Sequence, residues 1–98
     1  MKFREYGMVY KDIKSDEIKM QLVQSAPQDV LESYAIVIKN ILIGNIKLTS
    51  QEHNRLKPYK GTMIKLGFQN QTCRARRQLL EEGDLFQILS KIMAKLRV

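Results

Sequence analysis

Six apolar residues, Val30, Leu31, Tyr34, Ile38, Ile41 and Leu42, follow one another at spacings of one, three or four positions. A helix of period 3.6 gathers them on one face, whereas a strand of period 2 would split them between two. Pro27 suits the first helical position and Gly44-Asn45 a helix stop, so the spacing predicts a helix over 27–43. Its apolar stripe is too broad to lie in water and must be covered by other elements.

The covering elements are also helical by pattern. Ser15 is a cap for a helix over 15–24, which places Ile18, Leu22 and Val23 together and Asp16 and Glu17 in the first turn, where the helix dipole favours acids. Thr49-Ser50-Gln51-Glu52 has the spacing of a capping box and opens a helix over 50–66, with Leu56, Tyr59, Met63 and Leu66 on one face. Pro58 falls inside that pattern, opposite the apolar face, so a kinked helix is expected, or a break near Lys57. Gly67 is its expected stop. Asn70 or Thr72 caps a helix over 72–82, and Gly83 ends it. Asp84 caps a last helix over 85–97, aligned on Leu85, Ile88, Leu89, Ile92 and Leu96. Residues 1–13, with Phe3, Tyr6, Met8 and Tyr10 roughly alternating, read as a short arm or strand.

The fold class is therefore all-α: a small single-domain bundle of four to five short helices with an N-terminal arm or strand. The length of 98 residues suits one domain, and no Ser/Gly-rich linker interrupts it.

Composition then excludes several kinds of chemistry. A single Cys73 and a single His53 cannot complete a four-ligand zinc site, and one thiol makes no internal disulfide. A lone thiol fits a reducing compartment, nucleus or cytoplasm, and charged residues right after Met1 give no secretion signal. The longest apolar run, Ile41-Leu42-Ile43, is far short of a membrane span. No phosphate loop, dinucleotide glycine pattern or nucleophile elbow occurs. His53 has no carboxylate or nucleophile placed near it by a motif, and Cys73 reads as a packing residue. No enzyme activity, cofactor or metal is expected.

Charge carries the functional signal. Residues 1–46 hold six basic and six acidic residues, and residues 78–98 hold three of each. Between them stand Lys47, Arg55, Lys57, Lys60, Lys65, Arg74, Arg76 and Arg77 against Glu52 alone, which accounts for the whole net charge of +7. A neutral scaffold with a basic middle is the composition of a polyanion binder, and solubility alone does not require such segregation. On a helical wheel His53, Lys57 and Lys60 form one row, continued by Ile64. Arg74 and Arg77 form a second patch, with Arg77 and Glu81 spaced to pair. Lys and Arg in such rows neutralise phosphates without reading sequence. The competing reading is an ordinary solvated face. Tyr59 belongs to the apolar side and is no stacking platform.

The last helix offers a second surface. Its apolar face with cations opposite suits a core helix first, but also a membrane surface or a partner groove. Phe86 and Met93, seven apart and beside the main stripe, would then widen it into a homodimer interface.

The segments Ile36–Asn45, Leu48–Glu52, Arg55-Leu-Lys-Pro-Tyr-Lys60, Lys65-Leu-Gly67 and Arg76-Arg-Gln-Leu-Leu80 with Gly83 resemble small basic proteins of Polinton/Maverick elements and adintoviruses, which are compared with adenovirus core or minor-capsid peptides. The resemblance spans about residues 36–83. This chain has Asp84 where that family has a second glycine, and an amphipathic tail rather than a hydrophobic one. The resemblance implies a virion- or element-associated structural protein that faces DNA rather than RNA. It bears on Lys57, Lys60, Lys65, Arg76 and Arg77 and brings no catalytic residue.

Overall fold

A computed structural model describes residues 3–10 and 16–96. They form α1 (Phe3–Tyr10), α2 (Asp16–Ser25), α3 (Gln28–Leu42), α4 (Ser50–Leu56), a 3-10 turn (Lys57–Tyr59), α5 (Lys60–Phe68), α6 (Cys73–Leu80) and α7 (Leu85–Lys95). No strand occurs among the described residues, in agreement with the all-α expectation. They hold seven α-helices where four to five were expected, since residues 3–10 add one and the bend at Pro58 divides another. The cap expected at Ser15 lies outside them, as do Arg97 and all of residues 11–15 between α1 and α2.

Helix α3 is the element that the apolar spacing predicts. It buries Val30, Leu31, Tyr34, Val37 and Ile38, while Ile41 and Leu42 are half-buried against the same core. Its end is a Schellman motif. Gly44 takes φ +86°, a region that side chains strain, and this lets the Asn45 N–H reach the Asn40 carbonyl (2.9 Å) and the Gly44 N–H the Ile41 carbonyl (3.2 Å).

The structure corrects the N-terminal expectation: residues 3–10 are a helix packed on α7, not an arm or strand. Tyr6 and Tyr10, one turn apart, lie against the core, and Gly7 between them marks the closest approach of the two helices. A Cβ on Gly7 would stand 2.3 Å from the Ala94 nitrogen and 2.5 Å from the Ser90 oxygen. The Tyr6 hydroxyl donates to Asp29 (2.9 Å), tying α1 to α3 as well. Met8 and Val9 on the other face of α1 are exposed.

Helix α7 is the centre of the core. Leu85, Phe86, Ile88, Leu89, Ser90, Ile92 and Met93 are all buried in it. Phe86 and Met93, which the alternative reading of this helix would place at a homodimer interface, are 1% and 0% exposed and belong to the core. The Phe86 ring stacks on Tyr34 (centroids 5.0 Å, 25°) and meets Tyr10 at a tilt (5.4 Å, 55°), an arrangement that needs the ring inside the bundle. The Ser90 hydroxyl donates to the Phe86 carbonyl (2.7 Å) and lies 2.6 Å from the Tyr34 hydroxyl, whose proton it accepts. Burial pushes the Tyr34 phenol far above the ordinary tyrosine range, so it stays protonated.

Other local expectations divide. Thr72, not Asn70, caps α6 through the Ala75 N–H (3.1 Å). Asp84 makes no side-chain cap; its N–H donates instead to the Tyr59 hydroxyl (2.9 Å). Gly67 does not end α5, which runs on to Phe68. Pro58 bends the chain through the 3-10 turn rather than breaking it, so that α4 packs on α7 while α5 packs on α3. Lys19 is only 5% exposed and its ammonium donates to the Gly83 carbonyl (2.7 Å), a link from α2 to the α6–α7 turn that no local pattern signals.

Candidate nucleic-acid interface

The basic window folds into the loop before α4, the bent α4–α5 pair and α6. The start of α4 is fixed as its sequence predicts: the Glu52 N–H donates to Thr49 Oγ1 (3.1 Å) and the Thr49 N–H to Glu52 Oε1 (2.9 Å). The second Glu52 oxygen pairs with Lys95 of α7. Partial burial alone would push the Glu52 carboxyl up; the hydrogen bond and charge of Lys95 and the Thr49 donors outweigh it and hold the group below the usual carboxylate value.

A depressed folded-state pKa stabilises the fold above the unfolded-state value, and that contribution is lost as pH falls through the folded one. Stability should therefore drop on acidification below about pH 4, where free glutamate protonates. Glu52→Gln keeps a capping side chain without the charge and should flatten this drop, a difference on the order of 1 kcal/mol, the size of a cap. Urea titrations of both proteins across the acid range provide the measurement, and parallel curves would deny Glu52 this role.

Of the eight window cations, Lys47, Arg55, Lys57, Lys60, Lys65 and Arg74 are exposed, and Arg76 and Arg77 are half-buried. The expected row of His53, Lys57 and Lys60 survives folding. The three line one groove whose floor is Ile41, Leu42, Leu48, Leu56 and Met63, between the end of α3 and the bend at Pro58. The expected Arg74/Arg77 patch does not survive. Arg77 turns inward and donates to the Ala26 carbonyl (2.9 Å), closing the α2–α3 turn rather than facing solvent. Arg76 lines a separate depression with Lys39, Glu32 and Phe68, where the Lys39 ammonium stands 6.0 Å above the Phe68 ring.

Folding also adds cations from outside the window. Arg55 shares a depression with Lys91 and Lys95 of α7, over Ile88 and beside Glu52 and Gln51. Lys91 and Lys95 are one turn apart on the polar side of α7, which is visible in the sequence; their placement beside Arg55 is not. Helix α4 is thus flanked by cations on both sides, Lys57 and Lys60 in the groove of His53 on one and Arg55 and Lys91 on the other, where Lys95 is engaged by Glu52. Glu52, the one carboxylate of the window, is already engaged by its capping box and by Lys95.

Cys73 is half-buried against the core, as a packing residue would be. Among the described residues no three His, Cys, Asp or Glu side chains are grouped to hold a metal, and no helix is long and apolar enough to cross a membrane. Comparison of the chain with protein-family models, curated proteins and solved structures finds no match.

Proposed function

We propose that this chain is a non-enzymatic, basic nucleic-acid-binding structural protein that holds its ligand by the phosphate backbone. One observation carries the reading: Glu52 is committed to its own helix cap and to Lys95, so Lys47, Arg55, Lys57, Lys60 and Lys65 face solvent around α4 and α5 with no carboxylate of their own segment to neutralise them. Cations so placed displace the counterions of a polyphosphate, and that release supplies affinity with little sequence information. The likeness to basic proteins of Polinton/Maverick elements and adintoviruses favours DNA over RNA and a viral or mobile-element origin. Such a protein acts in the nucleus or cytoplasm, or inside a virion.

The alternative, a homodimerisation or membrane-surface module built on α7, lacks a surface to work with, because the apolar side of that helix is consumed by the core.

The test is a salt titration of binding to nucleic acid. Affinity should fall steeply with salt, and Lys57→Glu with Lys60→Glu should reduce the logarithmic slope by about 2 and weaken binding at low salt on the order of 100-fold. Arg77→Glu should instead lower stability, because it removes the donor to Ala26. Binding that ignores salt, or no binding at low salt, would reject the proposal.

A further inference from the structure

Helix α4 is a ridge between two basic grooves, and its crest is neutral. Gln51 and Asn54 are exposed, Gln51 lining the groove of Arg55 and Lys91, Asn54 extending the side of His53. At 100° per residue they lie within about 60° of each other and roughly 140–160° from buried Leu56, so they point away from the core. Resting on the nucleic-acid reading above, we infer that α4 enters the major groove of B-form duplex DNA, with Gln51 and Asn54 against base edges and the flanking cations on the two phosphate strands.

The dimensions agree. A helix with its side chains is about 10–12 Å across, the width of the B-form major groove. Positions three apart on a helix rise by about 4.5 Å, close to the step between neighbouring base pairs, so the two amides reach adjacent pairs. A carboxamide sets an NH2 donor beside a carbonyl acceptor and matches the N7 and N6 of adenine, so adenine is the base these residues select. Phosphates on either side of an inserted helix call for cations on both flanks, and α4 has them on both. The major groove of A-form RNA is too narrow to admit the helix. The bend at Pro58 lets α4 stand on α7 while α5 packs on α3, and among the described residues the crest of α4 at Gln51 and Asn54 is left exposed.

The experiment uses the full chain and three probes of equal length: duplex DNA, single-stranded DNA and duplex RNA. Duplex DNA should bind tightest, and selection from a randomised duplex pool should enrich adenine at two neighbouring positions. Gln51→Ala with Asn54→Ala, at exposed helical sites where alanine is well tolerated, should weaken binding to the enriched duplex by roughly 10- to 100-fold while leaving the salt slope unchanged. Three results would overturn the inference while leaving phosphate-backbone binding intact: duplex RNA or single strands bound as tightly as duplex DNA, a pool with no enriched base, or a double variant that binds like the parent. Absence of binding to every probe at low salt would remove the underlying reading itself.

Discussion

Phe86→Ala is expected to lower the unfolding free energy by about 4 kcal/mol, in the range for removing a buried phenylalanine. The ring is 1% exposed and held between Tyr34 and Tyr10, so its loss leaves a cavity walled by two other rings that cannot both follow it. A small domain has a total stability of about 5–15 kcal/mol, so the variant should unfold at far lower urea with an unchanged slope. Molecular mass in solution should not change. A variant as stable as the parent but altered in self-association would return Phe86 to an interface role and refute its place in the core.

Gly7→Ala carries a prediction of sign as well as size. On a helix free in solvent, alanine in place of glycine stabilises by about 1 kcal/mol. In this fold the added methyl would meet the Ala94 nitrogen at 2.3 Å, the Ser90 oxygen at 2.5 Å and the Met93 carbonyl carbon at 2.7 Å, all backbone atoms of α7 that cannot step aside. Overpacking of this kind costs about 1–3 kcal/mol and more where backbone must shift, so the variant should be destabilised and α1 should lose its seat on α7. Thermal unfolding gives the sign. Hydrogen exchange along residues 3–10 should show α1 opening before the rest of the bundle. A stabilised Gly7→Ala variant would mean that the two helices do not approach this closely.

The parts of the fold that were legible in the sequence are those decided within one or two helical turns. The stripe of α3 is built from successive steps of no more than four positions, and its stop at Gly44-Asn45, the Thr49–Glu52 box and the bend at Pro58 are equally local. The misreadings share a different origin. Residues 3–10 present two tyrosines inward and Met8 and Val9 outward, and their helical state follows from docking on α7, at the far end of the chain. Phe86 and Met93 seemed spare on an isolated α7, because a wheel shows one stripe while the core surrounds that helix on a wider arc. Asp84 has the right residue type for a cap, but its backbone stands at φ −96°, ψ 10° rather than in the extended region a capping residue takes, and its side chain makes no cap.

The candidate site divides the same way. The sequence by itself determined that the net charge lies between Lys47 and Arg77, and that His53, Lys57 and Lys60 share one row, because helical periodicity is local. Tertiary structure alone decided which cations act together. It turned Arg77 inward to a carbonyl 51 positions away, engaged Glu52 with Lys95 across 43 positions, and set Lys91 and Lys95 beside Arg55. The reason is physical: a charge acts over several ångströms of space whatever its place in the chain, and only packing sets those distances.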